Sequence, residues 1–218
     1  YTQNETLTNF PALVVFTNGL QNFYDRFASS NGYELRFTDS NGSRLLSYEV
    51  EMWLTNASSY VWVQVPAVAG PGTTIYAYWS NPSATAAPPA YTVNGATWSA
   101  RYAGVWHMRQ TNAMDSSPYA RHGFAQGQVI QVPGAGIVGA NDFDEDSDYV
   151  SAPALSGMRL SEDYTISAWI KSDVIGVQTE GFVGSYNGAG FMFFLNNDAI
   201  NQLCFWANGS QVYSSMEV

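Results

Sequence analysis

The chain has 218 residues, 46% of them hydrophobic and 15% aromatic, which suffices for one large or two sandwich-sized domains and excludes a disordered chain. Eighteen acidic against eight basic side chains leave a net charge of -10, with Lys171 as the single lysine. There is no basic stripe to displace phosphate counterions, so nucleic acid and anionic membrane surfaces are poor partners.

No run approaches the ~20 apolar residues of a membrane span, and neither an initiator Met nor a signal peptide precedes Tyr1, so the chain reads as a piece of a longer protein. Its polar surface must come from Asn, Ser, Thr, Gln and Gly, a composition common in secreted and cell-surface β proteins. The single cysteine, Cys204, sits in the apolar strand Leu203-Cys204-Phe205 and is expected as a buried, inert thiol.

In chain order, Ala12–Phe16 is a short apolar run between Pro11 and Asn18-Gly19, the pattern of a buried strand. Leu20–Ser30 has room for a turn or two of helix. Tyr33–Asp39 alternates apolar and polar residues, Asp39-Ser40-Asn41-Gly42 is a strong turn, and Leu45–Trp53 is predicted to return as its hairpin partner. In that strand Leu46, Tyr48, Val50 and Met52 face one way and Ser47, Glu49 and Glu51 the other. Tyr60–Val65 and Thr74–Trp79 follow. Five evenly spaced strands predict a sandwich or jelly roll. Residues 81–97, rich in Pro, Ala, Ser and Thr, read as a linker between a first domain at 1–80 and a second at 98–218.

The second domain is expected to open with a strand at Gly104–Met108 and to pass through Asp115-Ser116-Ser117 to the acidic turn at 142–148. Strands follow at Thr165–Lys171, Gly181–Tyr186, Gly190–Asn196, Gln202–Ala207 and Gln211–Val218. No segment supports a long helix, and the chain reads as all-β.

Several constellations invite chemistry. Glu49 and Glu51 lie two apart on one strand and share a face, as a glycosidase acid and nucleophile would. The plain alternative is a solvated outer face. Asp142, Asp144, Asp146 and Asp148 concentrate negative charge that a hard cation with oxygen ligands would neutralise, and calcium is the candidate; no other cofactor is implied. Tyr149 and Leu155 occupy the positions where an EF-hand needs Gly and Glu, which excludes that geometry. His107 and His122, the two histidines, cannot make a zinc tetrahedron with one cysteine. His107 reads as a hydrogen-bonded structural histidine, and Asp115 as the anchor of an Asx turn. No Gly-x-Ser-x-Gly elbow occurs, and no catalytic residue is assigned. Trp53, Trp62, Trp79, Trp98, Trp106, Trp169 and Trp206 serve mainly as core, while exposed aromatics would stack on sugars. Sequons stand at Asn4, Asn41, Asn56 and Asn208.

GVWHMRQTNAMDSS, NDFDEDSDYV and YTISAWIKS together resemble the opening of the laminin-G-like, concanavalin-type lectin/glucanase sandwich. Before them, LTNFPALVVF, YELRFTDSNGSRLLSYEVEMW and YVWVQVP resemble a β-sandwich domain of unknown function (domain of unknown function 2341), which typically precedes laminin-G-like domains in large bacterial and archaeal surface proteins. The pair implies two jelly-roll sandwiches. The second is concanavalin-like and incomplete, because Val218 precedes strands that such domains need. Laminin-G-like relatives hold calcium on a loop edge, which adds Asn187 as a further candidate ligand. Laminarinase-type enzymes of that fold carry Glu-x-Asp-x-x-Glu, and here Leu54 takes the last place. The expectation is therefore a non-catalytic extracellular or cell-surface module that binds carbohydrate or a surface protein. The alternatives are a structural subunit or spacer that self-assembles into a filament or envelope layer, and a glycan-cleaving enzyme.

Overall fold

The computed structural model describes residues 4–17, 19–70, 72–84, 88–89, 92–144, 147–153, 164–172, 180–185, 191–196, 202–207 and 210–217. The chain is almost wholly β and forms two compact units, Tyr1–Pro153 and Ala154–Val218.

In the first unit β1 (Thr6–Phe16) runs antiparallel to β4 (Ser59–Ala69), and β3 (Tyr48–Met52) flanks β4 on its other side, giving the order β1-β4-β3. A second layer pairs β2 (Arg36–Thr38) with β5 (Tyr76–Tyr78). Alternation decides what lies between them. Val61 and Val63 of β4 and Tyr48 of β3 point inward to meet Phe37 of β2 and Ala77 of β5. Phe16 and a one-turn helix, α1 (Gln21–Tyr24), close one end; Phe16 stacks on Phe23 at 4.5 Å. The hydroxyls of Tyr24 and Tyr48 donate to the carbonyls of Phe16 and Leu35 at 2.8 and 2.6 Å, so neither ring is buried with an unpaired polar end.

The hairpin expected between Tyr33–Asp39 and Leu45–Trp53 begins and then divides. Asp39 Oδ1 accepts the N–H groups of Ser43 and Arg44, and Leu45 bridges Thr38. Beyond Leu46 the chain crosses to the other layer and pairs with β4 instead. The core requires this, because Tyr48 and Phe37 must face each other across the sandwich at 5.3 Å. A hairpin would set them side by side in one sheet.

The C-terminal part of this unit carries four short strands that alternation does not announce. β6 (Phe124–Gln126) pairs with β9 (Tyr149–Ser151), and β7 (Ile130–Pro133) with β8 (Gly139–Asp142). The expected strand at Gly104–Met108 is reduced to a single bridge, Trp106 to Asp115. The unit runs through residues 81–97 and on to Pro153, so its end falls later than the proposed linker. The residues after the linker return onto β3 and β4 through side-chain hydrogen bonds.

The second unit is an antiparallel meander of β10 (Glu180–Ser185), β11 (Phe191–Asn196), β12 (Gln202–Ala207) and β13 (Ser210–Glu217). Phe194 lies opposite a fully buried Cys204. The segment Thr165–Lys171, predicted as a strand, is assigned to none. Trp169 is 92% exposed, and Ile170, expected inward, is also exposed. A period-two pattern is necessary for a half-buried strand, but a neighbour must accept its hydrogen bonds, and among the described residues none does.

Candidate functional site

Glu49 and Glu51 occupy the face of the β1-β4-β3 sheet that points away from the core. Glu49 is directly opposite Trp62, while a register shift between Val50 and Met52 inserts Glu51 as the extra residue of a bulge. A solvated face was one expectation for this pair, and here the structure corrects it. Glu51 is 3% exposed. Residues 96–117 lie over the pair: Gln64 of β4 donates to the carbonyls of Ala96 and Thr97 at 3.1 and 3.2 Å, and Trp98 is buried.

His107 sits between the two carboxylates. Its Nδ1 is 2.8 Å from Glu51 Oε2, a charge-assisted hydrogen bond. Its Nε2 is 3.8 Å from Glu49 Oε1, an ion-pair distance that leaves this nitrogen without a hydrogen-bond partner. Glu49 is otherwise well supplied, by Trp98 Nε1 at 2.8 Å and the Ser116 hydroxyl at 2.6 Å. Trp62 Nε1 donates to Glu51 Oε2 at 3.1 Å, and the Arg109 guanidinium donates to the Glu51 carbonyl. The walls are aromatic: Trp62 stacks on His107 with centroids 6.0 Å apart, and Trp98 contacts His107 at 5.6 Å and Tyr102 at 5.2 Å.

The electrostatics follow from this packing. Burial pushes the His107 pKa down, but the two carboxylates outweigh it and raise it to about 9. Burial likewise pushes Glu49 up, and the facing His107 imidazole together with the hydrogen bonds from Ser116 and Trp98 brings it below the usual carboxylate range. His107 and Arg109 balance Glu49 and Glu51, so the cluster is close to neutral. It cannot hold a metal in this arrangement. The two imidazole nitrogens point in opposite directions, each toward its own carboxylate, and no group of three His, Cys, Asp or Glu among the described residues is disposed around a cation.

The loop that brings His107 here is pinned by Asp115. Its carboxylate accepts from the N–H groups of Val105, Ser117 and Arg121, each at 2.8 Å, and from the Ser117 hydroxyl at 2.8 Å. The Ser117 bond is the expected Asx turn. His122 Nδ1 accepts the Asp115 N–H at 3.1 Å. Met108, next to His107, has a φ of 53°, a conformation uncommon for a residue other than glycine.

The acidic turn is arranged differently. Asp142 ends β8, Asp144 is exposed, and Asp148 Oδ1 accepts the Gln128 N–H at 2.7 Å, tying the turn to the start of β7. Asp146 and Asn187 lie outside the described residues.

Exposed aromatics gather elsewhere in the same unit. Tyr76 and Tyr78 point outward from β5, each 47% exposed, and Trp79 follows at 39%. Tyr78, Trp79, Arg26, Ala77 and Ser80 bound a hollow of about 260 Å³. A larger one, of about 380 Å³, lies among Asp39, Arg44, Pro66, Thr73 and Thr74. Neither includes a residue of the His107 cluster.

Sequence reasoning identified Glu49 and Glu51 as a pair and His107 apart from them, and did not bring Trp62, Trp98, Arg109 and Ser116 around them. One signal was present. The alternation of Tyr60–Val65 puts Trp62 on the same face as the glutamates, and a large aromatic there implies that something covers it.

Residues 31–98 match the domain of unknown function DUF2341. This supports the resemblance read in the first part of the chain, and its limits hold Glu49, Glu51, Trp62 and Trp98 but not His107, Arg109 or Ser116. No curated protein and no solved structure matches the chain.

Proposed function

We propose that this protein is a non-catalytic module of an extracellular surface protein that recognises carbohydrate. The observation that carries the reading is the row of outward aromatics Tyr76, Tyr78 and Trp79 on the β2-β5 layer. Sugars present apolar ring faces that stack on such side chains, and exposed aromatic surface grouped in one place marks an interaction site. The polar, lysine-poor composition supports a cell-surface location.

The Glu49-His107-Glu51 cluster supports the non-catalytic part. A general acid must reach a substrate oxygen, yet Glu49 accepts hydrogen bonds from Trp98 and Ser116, and Glu51 is buried and held by His107 and Trp62. The laminin-G-like reading of the second part, with calcium at the acidic turn, belongs to the same proposal and rests on the sequence motifs. Among the described residues no helix is long and apolar enough to cross a membrane.

A second reading, assembly with other copies, draws on the neighbouring apolar side chains of Trp169 and Ile170, both exposed among the described residues. Against strand exchange at β1 stand Pro11, which has no N–H to offer a neighbour, and Asn9, whose φ of 50° distorts the extended backbone of this edge. Glycan-array binding together with hydrolysis assays on β-glucans separates these readings. Binding without turnover is the expected result; turnover abolished by Glu49→Gln would overturn it.

A further inference from the structure

The hollow beside β5 has a chemistry narrower than a general sugar platform. Tyr78 lies opposite Arg36 in the β2-β5 pair, on the face away from the core. Trp79 is held from below by the edge of Phe23, with centroids 4.9 Å apart, so its ring is positioned before any ligand arrives. Ser80, at the rim, has a φ of 68°. A non-glycine residue in the left-handed region is uncommon, and such backbone strain clusters at ligand sites.

The charge is the informative part. The chain carries -10 overall, yet the charged side chain among the described residues that line this hollow is an arginine. Arg26 is exposed and enters no ion pair among the described residues. Arg36 is committed elsewhere, since its guanidinium donates to the carbonyls of Tyr33 and Leu35 at 2.7 and 2.6 Å. Asp25, next to Arg26 in sequence, is exposed and does not line the hollow. A planar guanidinium beside two aromatic rings suits a ligand with one apolar face and one carboxylate, because the fork donates two parallel hydrogen bonds while the rings take the flat side.

We infer that the hollow bounded by Arg26, Tyr78, Trp79 and Ser80 is a subsite for an acidic sugar, a pyranose bearing a carboxylate. The ring stacks on Tyr78 and Trp79, the carboxylate meets Arg26, and the Ser80 hydroxyl serves a sugar hydroxyl. At about 260 Å³ the hollow is smaller than the roughly 300–1,000 Å³ of sites for drug-sized ligands, which fits a single terminal ring. A peptide added as a strand would need a longer edge than the three residues of β5.

This inference rests on the carbohydrate reading above, and one experiment tells their failures apart. The full 218-residue chain is applied to an array holding uronate- and sialate-terminated oligosaccharides beside neutral counterparts, and the strongest acidic binder is then titrated calorimetrically. The expected result is preference for acid-terminated glycans, with affinity lowered about tenfold or more by both Arg26→Ala and Tyr78→Ala, a loss of roughly 1.4 kcal/mol. Both side chains are exposed, so the variants should keep the wild-type melting temperature. Binding to neutral glycans alone, or acidic-glycan binding that persists in either variant, overturns the subsite and leaves the carbohydrate reading standing. No glycan bound at all overturns both.

Discussion

His107 Nδ1 lies 2.8 Å from Glu51 Oε2 and joins two segments 56 positions apart in the chain, the bulge of β3 and the loop pinned by Asp115. The contact turns a strand glutamate that could have faced water into a buried partner. Several predictions about stability rest on it.

Because the folded-state pKa of His107 is raised from 6.5 to about 9, the folded protein holds this proton more tightly than the unfolded chain. Its stabilisation is therefore complete below about pH 6.5, declines as pH rises, and is gone above about pH 9; the shift corresponds to on the order of 3 kcal/mol. Glu49 works in the other direction. Its lowered pKa contributes stability above the ordinary carboxylate value of 4.5, and this is lost as pH falls through the folded value. Urea unfolding of the wild type should show greatest stability between about pH 4.5 and 6.5. An His107→Gln variant should have a flatter alkaline limb, and an unchanged limb would mean that the proton resides elsewhere.

Removing the imidazole leaves two carboxylates with less compensation. His107→Ala should destabilise the first unit by about 3–5 kcal/mol, the range for breaking one side of a buried ion pair. Glu49→Gln and Glu51→Gln placed in the His107→Ala background should recover part of the loss, since neutral amides need no counter-charge. Double-mutant cycles measure the coupling, and additive effects would show that the three do not act as a unit.

Gly32 has a φ of 66°, and a Cβ built on it would stand 2.6 Å from the Trp53 ring. Gly32→Ala combines a left-handed backbone with a clash against a core aromatic, so it should cost about 1–3 kcal/mol or more. Gly70, with a φ of 59° and nothing within 4 Å, carries the backbone term alone. Thermal melts of Gly32→Ala and Gly70→Ala should differ, with the first lower.

The DUF2341 match ends at residue 98, but Glu49 and Glu51 are partnered from beyond it. A fragment of residues 1–98 should lack a cooperative urea transition, whereas residues 1–153 should retain one. A cooperative 1–98 fragment would show that residues 99–153 are accessory to the fold.

Much of the strand layout was legible from local pattern. Val61, Val63 and Val65 are buried as their alternation requires, and β10 to β13 lie within a residue or two of the strands expected there. Thr165–Lys171 shows the limit of that reasoning, since its pattern is as clean as that of β4 but no described strand lies beside it. The hairpin after Phe37 shows another limit, because turn chemistry specifies the reversal and not the layer to which the next strand goes. The glutamates show a third. Period two placed both on one face, but whether that face meets water or Trp98 depends on a segment 49 residues away.

By itself the sequence determined the all-β class, the acidic surface, the buried thiol of Cys204 and the shared face of Glu49 and Glu51, because each depends on composition or on the two-residue repeat of a strand. The tertiary structure alone decided that His107 stands between those glutamates, that β3 joins β4 rather than β2, and that Tyr78 and Trp79 are left outside beside Arg26. These depend on which surfaces meet, and such contacts between residues distant in sequence leave no periodic trace along the chain.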